Sequence, residues 1–288
     1  MPDYTKEPAA PAIKYRWSLD TSFEYRNFKR PDVNRAFQIV QAGHDQHAYI
    51  DDFFLTEHLG YVINEDLSVG LGGGFRHLRK LNVDDADRLG EHDFSDGMID
   101  PEFDVKYRFK RQTQCFPLDL AVYGVVQAPL GRTHEKLPSG EFFETEDQPG
   151  TGAWAGTLGI AGSHGWDKWG ASFGGSYTLK GVGARHFKEG DVGRLSISGS
   201  RLISPAACRW KLYASLGVQG LIERKAEEDG HKDGDHGGQT IFVLPGIAAK
   251  PIDRLVLSLS VPVPVYQEEN GSHQKQNYAI QLGMGVRF

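Results

Sequence analysis

The chain has 288 residues, a formal net charge of -6, a pI of about 6.0 and a mean hydropathy of -0.44, with 35 Gly and 11% aromatic residues. The acidic balance argues against a nucleic-acid partner, and no apolar run approaches the ~20 residues of a membrane helix. If the chain crosses a bilayer it must do so as a closed barrel, because only closure satisfies every backbone group in lipid.

Period-2 alternation marks about twelve strands. In the first, Trp17, Leu19, Thr21, Phe23 and Tyr25 share one face, and Ser18, Asp20, Ser22, Glu24 and Arg26 take the other. The second is expected over 52–63 and the third over 68–77. The fourth sets Phe103, Val105, Tyr107 and Phe109 against Glu102, Asp104, Lys106 and Arg108. The fifth to eighth cover 118–127, 153–162, 169–180 and 192–203. In the ninth, Trp210, Leu212, Ala214, Leu216 and Val218 oppose Lys211, Tyr213, Ser215, Gly217 and Gln219. The tenth and eleventh are expected at 240–248 and 255–266. The last runs to the terminal carboxylate, with Tyr278, Ile280, Leu282, Met284, Val286 and Phe288 on its apolar face.

The connections alternate in length: long after the first strand (27–47), short after the second (64–67), long after the third (78–100), short after the fourth (111–117), and so on to the end. A transmembrane antiparallel up-and-down β-barrel has this asymmetry, with short periplasmic turns, long extracellular loops and both termini in the periplasm. A lipocalin-like barrel or a sandwich has no reason to sort loop length by end. The expected organisation is a short periplasmic segment, 1–13, followed by one barrel over 14–288 in the bacterial outer membrane. Met1-Pro2-Asp3 lacks the basic and apolar regions of a signal peptide, so the sequence is expected to be a form from which the leader has been removed. Gln281, Gly283, Val286 and Phe288 resemble the C-terminal signal that barrel-assembly machinery reads.

A barrel of about twelve strands has a lumen between the filled eight-stranded and the open sixteen-stranded kinds. The inward positions include Asp20, Glu24, Arg26, Arg76, Glu102, Asp104, Lys106, Arg108, Asp119, Tyr123, Lys211 and Tyr213. Both charge signs are mixed, so no strong ion preference follows, and pairing across the lumen is the plainer role. Trp17, Trp154, Trp166, Trp169, Trp210, Tyr25, Tyr61, Tyr278 and Phe288 fall near strand ends, as membrane-interface aromatics do. Glu57 falls in phase with Phe53, Leu55, Leu59 and Tyr61 and so faces lipid. A bulge, or a register with Phe54 and His58 outward, would remove that conflict. Pro262 and Pro264 stand two apart in the eleventh strand, near Pro245 of the tenth. Residues of like parity direct their N–H groups to the same neighbour, so both missing donors weaken one seam. That weakening admits two readings, a bulge patched by water or a wall able to open laterally to apolar substrate.

Pro129-Leu130-Gly131 with Gly150-Thr151-Gly152, then 238–246, then 261–267 with Asn270-Gly271, resemble the outer-membrane transporter family associated with meta-pathway phenol degradation, a distant relation of the FadL-type hydrocarbon channels. The resemblance covers most of the chain through short motifs. It implies uptake of small, often aromatic or hydrophobic compounds. The 13 residues before the first strand are too few for a FadL-type plug domain.

No enzyme is expected: the chain has no His-x-Ser in the context an outer-membrane phospholipase needs, and His44-Asp45 and His92-Asp93 match a rim protease loosely. A metal-related or structural barrel is the alternative. His231 and His236 stand in an acidic loop and are weak metal candidates beside the reading of a solvated loop. No cofactor is expected. The expected partners are outer-membrane lipid and lipopolysaccharide, the barrel-assembly machinery and a small-molecule substrate. Cys115 and Cys208 fall in different short turns and are expected to be unpaired.

Overall fold

In the computed structural model, residues 15–28, 47–84, 88–205, 207–232, 236–270 and 275–288 are described. The segment 1–13 and most of the link after the first strand lie outside them. The strands are β1 (Trp17–Phe28), β2 (His47–Val62), β3 (Leu67–Asp84), β4 (Arg88–Met98), β5 (Glu102–Lys110), β6 (Asp119–Gln127), β7 (Ala155–Trp166), β8 (Trp169–Lys180), β9 (Phe187–Lys188), β10 (Val192–Leu202), β11 (Lys211–Glu223), β12 (Glu227–Glu228), β13 (His231–Lys232), β14 (Gly238–Ile252), β15 (Leu255–Ser260), β16 (Val263–Glu269) and β17 (Gln276–Arg287).

Successive wall strands pair antiparallel, and β17 pairs with β1 to close the ring. β4 and β5 follow one path along β3, broken at 99–101. β15 and β16 follow one path along β14, broken at 261–262. The result is a closed antiparallel barrel of twelve wall strands. The short strands β9, β12 and β13 form a separate ribbon among the long connections.

The segments read from alternation are strands, and several are longer than their pattern. Residues 78–100 are not a loop: β3 runs on to Asp84 and turns back as β4, with Phe75 opposite Met98 and Asp84 opposite Arg88. Hydrophobic period fails there because Arg79 and Asp96 put polar groups on one face and Lys80 and Asp93 on the other. Such a hairpin stands clear of the apolar zone, where one face must be greasy and the pattern is enforced. β7 extends to Trp166, leaving Asp167-Lys168 as a two-residue turn with Asp167 at φ 46°, as tight hairpins require.

Among the described residues, and with the exception of Glu57, the outward face between the aromatic edges is apolar around the ring. Leu158 is 76% exposed, Leu195 70% and Ile197 63%. Apolar exposure on this scale belongs against hydrocarbon rather than water. Aromatics gather toward the edges of the belt: Trp17 packs on Tyr61 at 4.6 Å at the turn end, and Tyr25 on Phe53 at 4.9 Å toward the loop end. Glu57 is neither in a bulge nor out of register. Thr21 and Gly73 lie opposite it on the two neighbouring strands, and Phe54 and His58 point inward.

Candidate functional site: a charged lumen and the loop in its mouth

Strand parity carries the predicted lumen residues to the inside, and their partners divide the lumen into three levels. At the turn end, Arg108 donates to Asp66 at 3.2 Å, and Arg111 donates to the same carboxylate at 2.7 Å from both Nε and Nη2. These bonds, those of Arg111 first, hold the Asp66 carboxyl below its ordinary 3.8, and the carboxylates push the Arg111 guanidinium up. Asp119 accepts the Gln112 N–H at 3.0 Å and stands 3.9 Å from Arg108. Arg108 and Asp119 therefore belong to a rim staple rather than the mid-lumen. Lys211 is also at this end, while Tyr213 sits one inward step further along β11.

At mid-height, His58 Nε2 lies 2.6 Å from Asp104 Oδ2. Gly70 makes this possible, since a Cβ there would stand 2.2 Å from both atoms. Glu24 pairs with Arg26 and accepts from Gln281 Nε2 at 3.1 Å, while Gln281 Oε1 accepts from Ser260 Oγ at 3.0 Å. Of the four terminal-strand residues read as an assembly signal, Gln281 and Gly283 face the lumen, whereas Val286 and Phe288 face out. Asp20, Glu102, Lys106 and Tyr123 share the inward face with these groups.

Toward the loop end the Phe54 ring lies between two guanidiniums, Arg26 at 4.5 Å and Arg76 at 5.4 Å. Arg76 grips Asp52 with both arms of its fork, at 2.9 and 3.0 Å. Its Nη1 donates to the carbonyls of Glu146 and Gln148 at 2.7 and 2.9 Å. Those carbonyls belong to the long connection after β6, which thus turns into the mouth. Lys80, 4% exposed, donates to Asp147 at 2.6 Å and Glu144 at 2.9 Å. Phe143 is 1% exposed, and Arg185 donates to its carbonyl at 2.6 Å. Arg185 and His186 both hold positive φ, 55° and 59°, and burial lowers the Arg185 pKa.

The two glycine motifs of the family resemblance meet in this connection. A Cβ on Gly150 would lie 2.6 Å from the Gly131 backbone. The Asp100 carboxylate accepts the N–H groups of Gly131 and Thr151 and the Thr151 hydroxyl, each at 2.7 Å. Beneath lies a cavity of about 10 Å³, lined by Gln127, Thr151, Lys180, Phe187 and Glu189 among others, with room for about one water.

The carboxylates of Glu144, Glu146 and Asp147 lie within 4.8 Å of one another. Each is already engaged: Lys80 serves Glu144 and Asp147, and His236 Nε2 lies 2.7 Å from Glu146. His231 sits opposite Glu228 in the small ribbon. The two candidate imidazoles are not brought into one ligand group of three or more among the described residues. Cys115 and Cys208 are free and exposed.

The wall ladder is interrupted where the prolines stand. Ala279 N donates to Pro262 O at 2.9 Å. In an antiparallel hydrogen-bonded pair the reciprocal donor is the N–H of residue 262, which proline lacks. The β15–β17 ladder runs from Leu255 to Ser260, and beyond this half-pair β16 is laddered to β14 alone among the described residues. Pro264 lies opposite Phe242 beside a register shift, and Pro245 keeps regular register with Leu216 while its carbonyl accepts from Val261 N at 3.0 Å. Sequence reasoning found this seam from the missing donors. It missed His58, Phe54 and Lys80 as lumen residues, and it missed the docked connection.

No protein-family model matches the chain, and no curated protein matches it. Solved structures match in fold. An outer membrane channel from Pseudomonas putida F1 aligns over 100% of this chain and 99% of its own, with a TM-score of 0.69 at 14% identity. The NanC porin aligns over 94% and 100%, with a TM-score of 0.52 at 7% identity. The CymD monoaromatic hydrocarbon channel aligns over 96% and 89%, with a TM-score of 0.50 at 10% identity.

Proposed function

We propose that this chain is an outer-membrane channel for small hydrophobic or aromatic compounds, which leave the lumen sideways through the seam between β16 and β17. The observation that carries this reading is the half-made Pro262–Ala279 pair, beyond which β16 and β17 are not laddered among the described residues. A passive aqueous pore gains nothing from a break in its wall, whereas an apolar solute gains a side exit from the lumen at the level of the loop-end aromatic edge, next to the outer margin of the bilayer. Two fold relatives are named as channels, one of them for monoaromatic hydrocarbons, which supports the substrate class. The docked connection after β6 narrows the axial route, so that bulk polar solutes are restrained while the side path stays available.

In this reading the loop end is extracellular, where lipopolysaccharide surrounds the rim, and the turn end is periplasmic. The outward, aromatic-ended last strand is what assembly machinery would meet first. Orientation is tested with the native thiols. Cys115 and Cys208 are exposed at the turn end, so a membrane-impermeant maleimide should leave them unlabelled on intact cells. With both changed to Ser, Ser139→Cys at the loop end should label. Labelling of the native thiols on intact cells would reverse the orientation. Function is tested in proteoliposomes: uptake of a labelled monoaromatic hydrocarbon should exceed that of a charged sugar of similar mass. Equal rates for both would leave a general diffusion pore.

A further inference from the structure

On the outward face of β2, the order Phe53, Leu55, Glu57, Leu59, Tyr61 puts Glu57 at the midpoint. Phe53 and Tyr61 each pack on an aromatic of β1, Tyr25 and Trp17. The carboxylate therefore stands halfway between the two aromatic girdles. It is exposed, and it makes no hydrogen bond or ion pair with any described residue. Among the described outward positions between the girdles, no other holds a charged side chain.

Hydrocarbon supplies no donor to such a group, and an isolated ionisable side chain at mid-depth is strongly unfavourable. The headgroups lie half the hydrocarbon thickness away, ~15 Å, beyond the reach of a glutamate. The donor must come from protein within the membrane. The same patch contains one: Thr21, directly opposite on β1, one strand spacing of ~4.8 Å away.

We infer that the β1–β2–β3 face is a self-association surface. At it two copies of this chain meet across a two-fold axis, and Glu57 of each accepts the Thr21 hydroxyl of the other. An isologous contact needs a patch that carries both halves of its own complement, and this one does. Gly73, on the other flank of Glu57, leaves a notch: a Cβ there would meet nothing within 4 Å. Leu55, Leu59 and Leu71, 47%, 39% and 57% exposed, supply apolar surface around the polar centre. The far face, with Leu158, Leu195 and Ile197 outward, has no such polar centre and is suited to lipid alone.

The inference rests on the membrane-spanning reading, and the experiment separates the two. In a Cys115→Ser, Cys208→Ser background, Leu55→Cys and Ile197→Cys are compared by oxidative cross-linking in isolated outer membranes. Leu55→Cys should give a product of twice the chain mass and Ile197→Cys none. Adding Glu57→Leu should reduce the Leu55 product about tenfold, the loss expected for ~1.4 kcal/mol of buried hydrogen bonding. Equal cross-linking at both sites, or a Leu55 product indifferent to Glu57→Leu, overturns the proposal. So does a product of any other mass, which would point to a different protein, and so does the absence of product from a barrel that keeps its heat-modifiable gel mobility. Recovery of the chain in the soluble fraction would instead refute the membrane reading itself.

Discussion

Lys80 and Asp147 meet at 2.6 Å in the mouth of the barrel, although 67 residues separate them in the chain. The ammonium also reaches Glu144, and Arg76 holds the backbone of the same connection two inward positions further down β3. Together they tie a long loop to the wall it overhangs.

Lys80→Met should untie it. Removing one member of a buried pair leaves the other charge uncompensated, a loss of ~3–5 kcal/mol when both are fully buried. Glu144 is 39% exposed at its side chain, which places the expected loss at the lower end. Single-channel conductance in planar bilayers should rise and the thermal midpoint should fall. Unchanged conductance in a folded variant would mean that the loop does not restrict the axial route.

Pro262→Val restores the donor that faces the Ala279 carbonyl, and Pro264→Val a second donor of the same parity. Each recovered ladder bond is worth ~1 kcal/mol net. The double variant should melt higher, pass hydrophobic substrate more slowly and keep its ionic conductance. Uptake unchanged in a well-folded double variant would remove the side path and leave a narrow diffusion channel.

Trp17 and Phe288 exchange both backbone hydrogen bonds, each 2.9 Å, at the turn end of the closing seam. Deleting Phe288 removes that pair and an outward aromatic ring that is 55% exposed. Two bonds at ~1 kcal/mol each are a minor part of a barrel's stability, so the finished fold should survive. The yield assembled into membranes should drop. Wild-type yield, measured as heat-modifiable protein on gels, would show that the terminal ring has no part in assembly.

Asp66 gives a pH dependence of known sign. Its folded pKa lies below the ordinary 3.8 because Arg111 and Arg108 bond the carboxylate. The stability it contributes is therefore present above that value and is lost as pH falls through the lower, folded one. Between pH 6 and pH 3 the thermal midpoint of the wild type should fall more than that of Asp66→Asn. Parallel curves would show that the rim staple is energetically idle.

The strands that face hydrocarbon on one side were legible in the sequence: residues 102–110 and 169–180 form β5 and β8 over those same spans. There, every second residue must be apolar, and the pattern has no freedom. β4 was not legible, because above the belt neither face of a hairpin is held to that rule. The phase of Glu57 was read correctly, yet the escape offered for it was wrong, since regular pairing on both flanks leaves no slack for a bulge. The docking of Lys80 on Asp147 leaves no periodic trace, being a contact between a strand and a distant loop. The proline seam could be foreseen because an absent N–H is a property of the residue itself.

The closing seam has a kinetic meaning as well as a structural one. Asn277 Nδ2 donates to Asn27 Oδ1 at 2.9 Å across a sequence separation of 250 residues, whereas β7 and β8 are joined by a two-residue turn. Loop-closure entropy rises with the logarithm of chain length, so neighbouring hairpins can zip long before β1 finds β17. Until then both of those strands carry a bare row of donors and acceptors. High contact order of this kind makes the final pairing the slow event in folding. A chain stalled at that stage is a sheet with two adhesive edges, and its fate depends on which edge is met first: its own, or a stranger's.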